Sequence, residues 1–226
     1  MTENSGGRGA GGRGAGEGPI LGVKNEIPRR EIKKSDLVRM NLGKSLWNAS
    51  IDKIQDIDAR QVFANYISNI RNMIKTCSGL LIFGNRGVGK SGAAAVIAME
   101  AVKVSCSAYV ISHQELQEVR FDPKGFNDSQ TVMDRVRSVH LLVLDNFNDD
   151  FLEDRRFGML DLEKLVSRRK DNMLTTILTT SINRFDDKFT KSLTGVIKAA
   201  LYPVGIEGKD FRDVEMERLH SRIKHQ

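Results

Sequence analysis

Leu80-Leu81-Ile82-Phe83-Gly84-Asn85-Arg86-Gly87-Val88-Gly89-Lys90-Ser91 is the stretch that decides the fold of this chain. Its four apolar residues read as a buried strand, and the small-residue run from Gly92 to Met99 reads as a helix. Between them G-x-x-x-x-G-K-S stands where the motif has a mechanism, after a strand and before a helix. Glycines let the backbone curl so that successive N–H groups converge on phosphate oxygens, and the helix N-terminus adds positive potential. Gly84, Asn85, Arg86, Gly87, Val88 and Gly89 are the expected cradle. Lys90 supplies a point charge to the terminal phosphates, and the Ser91 hydroxyl is a natural Mg²⁺ ligand. The expected ligand is ATP with Mg²⁺.

Composition sets the frame around this loop. The chain has 226 residues, of which 40% are hydrophobic, enough for one α/β domain with additional material. The formal charge of +6 leans toward polyanionic partners. Cys77 and Cys106 have neither metal-ligand spacing nor a disulfide framework, which fits a reducing compartment. No apolar run approaches the roughly 20 residues of a membrane span, and the N-terminus has no hydrophobic signal core. A cytoplasmic protein with no membrane partner is expected.

Outward from the loop, the chain divides into three parts. Residues 1–23 are Gly/Arg-rich and read as a disordered tail that cannot build a core. Residues 24–47 carry Lys24, Arg29, Arg30, Lys33, Lys34, Arg39 and Lys44, and read as a basic docking arm. Residues 48–226 read as the catalytic domain. Within it, Val62, Tyr66, Ile70 and Ile74 recur at helical spacing. Apolar runs at 80–83, 108–111, 140–145, 175–181 and 202–206 read as five strands, the last an edge strand because of Pro203. Helices are expected between them. One at about 129–138 would bring Arg135 and Arg137 together, and one at 153–170 would end in Arg168-Arg169-Lys170. Alternating strands and helices predict a three-layer α/β fold with a parallel five-stranded sheet.

Ligands in such sheets sit beyond the carboxyl ends of the strands. The ends of the first, third and fourth strands therefore belong to one site: Gly84–Ser91, Asp145-Asn146 and Thr180-Ser181. Asp145, ending a buried apolar run, is the expected second Mg²⁺ ligand. Asn146 follows it where an acid would polarise the attacking water; an amide orients water but is a very poor base. Asp149, Asp150 and Glu153 lie close in sequence and could stand in. The expectation is a weak ATPase whose ATP serves as a conformational or assembly signal.

Together these pieces resemble the AAA+ ATPases of the DnaC/IstB type, the helicase loaders and transposition helper ATPases, over about Leu42 to Arg212. Leu42–Ser50 looks like that family's lead-in segment, Ala108–Leu116 like its second strand and following helix, and Leu141–Asp145 like its Walker B strand. Ile177–Ser181 looks like the sensor strand and Ile206–Arg212 like the terminal sensor segment. The resemblance implies that Ser181 contacts the γ-phosphate or attacking water, with Thr180 and Asn183 as alternatives, and that Arg212 reaches the γ-phosphate. Two departures stand out. Asn146 replaces the usual acid, and residues 190–200 offer only Lys191 and Lys198 where the family presents an arginine to a neighbouring subunit. Arg168 or Arg169 could act across a subunit interface instead.

The function this resemblance implies is a replication accessory ATPase, a helicase loader. It would bind a replicative helicase through the basic arm and single-stranded DNA through Arg120, Lys124, Arg135 and Arg137, as a homo-oligomer on DNA or on the partner. One alternative is a transposition helper that polymerises on duplex DNA and recruits a transposase. Another is a non-hydrolysing regulator of a helicase.

Overall fold

Five parallel strands form one sheet in the computed structural model, which describes residues 29–121, 126–147, 158–182 and 190–224. They are β1 (Gly79–Gly84), β2 (Ala108–Ser112), β3 (Leu141–Phe147), β4 (Thr175–Thr180) and β5 (Leu201–Ile206), in spatial order β2-β3-β4-β1-β5. Every adjacent pair is parallel. The expected sheet is therefore present, with Pro203 on the edge strand β5.

Side chains alternate along each strand, so each strand feeds two cores. Leu80, Ile82, Val110, Val143 and Ile177 pack with α2 (Ile57–Ser68), α3 (Ile70–Lys75) and α4 (Lys90–Lys103). Leu81, Ile111, Leu142, Leu144 and Leu178 pack on the other face with α6 (Phe126–Ser138), α7 (Gly158–Asp171) and α8 (Lys191–Ala200). α5 (His113–Phe121) adds Leu116 to that second core, and α9 (Phe211–Lys224) follows β5. Strands buried on both faces explain the continuous apolar runs. α4 is built from small residues, with Ala93, Ala94, Ala95, Ala98 and Ala101 all buried, and so seats closely against the sheet behind the loop.

The helical pattern of residues 62–74 is broken at Asn69 (φ −106°, ψ 17°), which ends α2 and starts α3. The Ser68 hydroxyl and the Asn69 amide both donate to the Asn65 carbonyl, competing with helix continuation. Tyr66, Ile70 and Ile74 are nonetheless all buried in one core.

Over residues 29–47 the expected separate arm is part of the domain, because its apolar residues outweigh its charges. α1 (Lys34–Arg39) and the turn after it bury Leu37, Met40 and Leu42 against the α2–α4 core. Val110 donates its main-chain N–H to the Met40 carbonyl at 2.8 Å, and the Asn41 side chain donates to the Val110 carbonyl at 2.9 Å. The open edge of β2 is thereby covered, as sheet edges need to be. Arg29 pairs with Glu100 at 2.8 Å and Arg30 forks onto Asp36 at 2.7 and 3.0 Å, so two of the arm's cations are engaged internally. The Arg30 guanidinium holds the Asp36 carboxyl down at about 2. Residues 1–28 lie outside the described residues.

Candidate nucleotide site

The loop leaves β1 at Gly84 and enters α4 at Lys90, with φ values of 146°, 76° and 103° at Gly84, Gly87 and Gly89. These are left-handed or glycine-only conformations, which is why glycine stands at each turn of the loop. Lys90 Nζ donates to the carbonyls of Gly84 at 2.8 Å and Asn85 at 2.6 Å, folding over the loop it belongs to. Burial lowers its pKa, opposed by the neighbouring Asp145.

Parallel register brings the other strand ends to the same place. Ser112 of β2 lies beside Asp145 of β3, and Phe147 of β3 beside Thr180 of β4. The Ser91 hydroxyl donates to Asp145 Oδ1 at 2.9 Å, uniting the loop with the end of β3 as expected. A hydroxyl and a carboxylate at this separation are hard oxygen donors, the set Mg²⁺ shares with phosphate oxygens. Ser91 and Asp145 therefore fit the ion.

Asn146 occupies an irregularity in the sheet. The β3–β4 register shifts between Leu144 and Phe147, and Asn146 has φ 61°. Among non-glycine residues, asparagine is one of the few that adopts this region readily. The backbone conformation thus gives Asn146 a structural rationale beside its place after Asp145. Its side chain is exposed, and its main-chain N–H donates to Thr179 Oγ1 at 2.9 Å.

Thr179 is the residue sequence reasoning missed. Its hydroxyl donates to Asp145 Oδ1 while accepting from Asn146, so it fixes the carboxylate and the bulge together. The clue was the parallel register: a polar residue on β4 level with Asp145 must lie beside it. Thr180, one of the sensor alternatives, is fully buried and accepts from the Ile182 N–H at 3.0 Å, closing the turn after β4. Ser181 is half-buried just past that strand end, and Asn183 lies outside the described residues.

The far wall of the site is the segment before and at the start of α9. Phe211 donates its N–H to the Gly87 carbonyl at 2.9 Å, and its ring stands over Gly89 opposite Ile54. Arg212, the expected γ-phosphate sensor, is exposed and forks onto Asp210.

The remaining expected site residues separate. Arg135 and Arg137 are two apart on α6, so they leave the helix about 200° apart and do not form one patch. Arg135 lies 5.9 Å from the centre of the Tyr109 ring and donates to the Arg39 carbonyl at 3.3 Å. It lines a groove of about 440 Å³ with Arg30 and Arg39. Arg137 lines a different cavity, of about 270 Å³, with His113, Lys164 and Arg168. Arg120 belongs to α5, whose described atoms do not extend to its side chain, and Lys124 lies outside the described residues, as do Asp149, Asp150 and Glu153.

Arg169 is corrected outright as a residue acting on a neighbouring subunit. It is 1% exposed and donates to Thr176 Oγ1 and to the carbonyls of Val136, Val139 and Thr175, at 2.7 to 3.0 Å. Burial pushes its pKa down to about 10. It joins the end of α6 to the start of β4. Arg168, on the exposed side of α7, keeps its candidacy; Lys191 and Lys198, where the arginine is missing, are on exposed positions of α8.

No family model matches the sequence, and no curated protein matches it. Solved structures do match the fold. The DnaC helicase loader superposes with a TM-score of 0.61 at 17% identity, covering 73% of this chain and 100% of that one. DnaI gives 0.61 at 20% identity, covering 75% of this chain and 93% of that one. The replication initiator DnaA bound to AMPPCP and single-stranded DNA gives 0.57 at 18% identity, over 72% of this chain and 51% of that one. The chain thus shares its fold with the DnaC helicase loader and DnaI. No helix among the described residues is long and apolar enough to cross a membrane.

Proposed function

We propose that this chain is an ATP-binding replication accessory protein of the helicase-loader kind, which uses its nucleotide state to grip a replicative helicase and single-stranded DNA. The observation that carries the reading is the convergence of Lys90, Ser91, Asp145 and Thr179 at the carboxyl ends of β1, β3 and β4. The fold shared with the DnaC helicase loader and DnaI supports the choice of process.

Each group has a definite task in that reading. The loop from Gly84 to Gly89 receives the phosphates on its main-chain N–H groups, and Lys90 swings from its carbonyl contacts to the terminal phosphates. Ser91 and Asp145 hold Mg²⁺, which when bound neutralises phosphate charge. Thr179 keeps Asp145 aimed at that position by donating to one carboxylate oxygen. Asn146 orients water without accepting its proton, so hydrolysis lacks a general-base contribution of roughly 10²–10⁴-fold. Ser181 and Arg212 serve as the polar and cationic sensors of the terminal phosphate. Arg168 is the remaining arginine for a trans contact between copies.

The phosphodiester backbone is assigned to Arg135 of α6 and to Arg39 beside it, with Arg120 and Lys124 as further candidates from the sequence; Arg137, which lines another cavity, stands apart from that groove. The helicase is assigned to the basic segment 24–44. The test is co-purification with a replicative helicase in the presence of Mg²⁺ and ATP, together with single-stranded DNA binding as a function of salt. The expected outcome is nucleotide-dependent helicase capture and DNA affinity that falls steeply as salt rises. Filament formation on duplex DNA without helicase capture would favour a transposition helper. Nucleotide binding without turnover under every partner condition would favour a regulator.

A further inference from the structure

The segment Asp210–Arg212 is fixed to the phosphate loop by main chain as well as side chain. Phe211 is tied to the Gly87 carbonyl at 2.9 Å. The Asp210 carboxylate lies against Gly87 so closely that a Cβ built there would stand 1.8 Å from Oδ1. Arg212 takes the same carboxylate three ways. Its Nε lies 2.9 and 3.1 Å from the two oxygens, its Nη2 bonds Oδ2, and its own main-chain N–H reaches Oδ1 at 2.9 Å. Both Asp210 and Arg212 are near enough to Lys90 to act on its charge, in opposite senses.

We infer that Asp210 sets the nucleotide preference of this site, because its carboxylate competes with the terminal phosphate of a nucleoside triphosphate for Arg212. The inference rests on reading the loop as an ATP site. Carboxylate and phosphate present the same bidentate geometry to a guanidinium, and one fork edge serves one acceptor at a time. Arg212 can turn its Nε–Nη2 edge to a γ-phosphate only by leaving Asp210. A diphosphate makes no such demand, so the Asp210–Arg212 pair survives it. The pair therefore subtracts from ATP affinity and leaves ADP affinity nearly untouched. It acts as a brake on the nucleotide switch, and Asp210 is a positioning residue that works through Arg212.

The test is calorimetric titration of the full chain with Mg·ATP and with Mg·ADP, for wild type, Asp210→Asn, Asp210→Ser, Arg212→Ala and the Asp210→Asn/Arg212→Ala double variant. Asp210→Asn is expected to tighten ATP about tenfold and ADP less than about threefold, within the range of ordinary site couplings. The ATP-to-ADP ratio therefore rises. Asp210→Ser, neutral and smaller, repeats the effect and guards against a misfolded asparagine variant. In the Arg212→Ala background the rise disappears. An unchanged or lower ratio in both Asp210 variants, beside measurable wild-type binding that Lys90→Ala abolishes, overturns this inference alone. Wild-type binding that Lys90→Ala leaves intact overturns the nucleotide site and the inference with it.

Discussion

Arg169→Ala is the substitution whose cost can be worked most directly from the structure. The guanidinium is 1% exposed and donates four hydrogen bonds, three of them to the carbonyls of Val136, Val139 and Thr175. Truncation takes a donor away from each of those carbonyls and from Thr176 Oγ1 beneath α7. Each buried polar group left unpaired costs about 1–3 kcal/mol. The side-chain volume is lost as well, although the penalty of burying a charge is recovered. The net is about 3–5 kcal/mol, at the upper end of single substitutions because several buried hydrogen bonds and a large side chain are lost together. With a urea m-value near 2 kcal/mol/M, the midpoint should fall by roughly 2 M. Arg168→Ala, next to it on the exposed side of α7, should shift the midpoint by less than about 0.3 M, since exposed substitutions stay near 0.5 kcal/mol. Equilibrium urea unfolding followed by far-UV circular dichroism measures both. If the two alanine variants unfold together, Arg169 is not the tie between α6 and β4.

Three further outcomes follow from other parts of the molecule. Met40 is 1% exposed in the α2–α4 core, so Met40→Ala should cost about 2–4 kcal/mol by thermal or urea unfolding; a value near zero would mean that the N-terminal segment is a detachable arm. Asn146→Val should destabilise by about 1–2 kcal/mol at φ 61° while Asn146→Gly should not, a contrast read by the same unfolding experiments. His113, edge-on to Phe147 at 5.2 Å, has its pKa pushed down to about 3 by burial. The folded state therefore favours the neutral ring. Stability is fully present above the unfolded value near 6.5 and is lost as pH falls from there toward 3. Allowing for the partly exposed ring, the loss between pH 7 and pH 5 should be about 1 kcal/mol, and His113→Gln should remove it.

Much of this was legible in the sequence, for identifiable reasons. A strand covered on both faces must be apolar throughout, so Leu80–Phe83, Leu141–Leu144 and the Ile177-Leu178 centre of β4 announce themselves. The parallel order then sends Ser91 and Asp145 to one point, which the 2.9 Å hydrogen bond records. Tertiary relations between polar residues were harder to read. Arg169 looked like any basic residue ending a helix, because nothing in Arg168-Arg169-Lys170 says which of the three faces the sheet. The segment around Leu37, Met40 and Leu42 was hidden by its charges, although its apolar spacing already marked a one-sided helix and turn. Asp210 was covered only by the likeness of Ile206–Arg212 as a whole to a sensor segment. Its role emerges only from its approach to Gly87.

The account turns on one measurement, the binding and fate of Mg·ATP. Wild type and Lys90→Ala are titrated with Mg·ATP, and phosphate release is then followed in the same samples. The account predicts saturable binding by wild type and binding at least about 100-fold weaker by Lys90→Ala, a loss of about 2.7 kcal/mol. It also predicts wild-type turnover well below the roughly 1–100 s⁻¹ of kinases that have a full catalytic set. Equal binding by the two proteins would contradict the site, and rapid phosphate release by wild type alone would contradict the role given to Asn146.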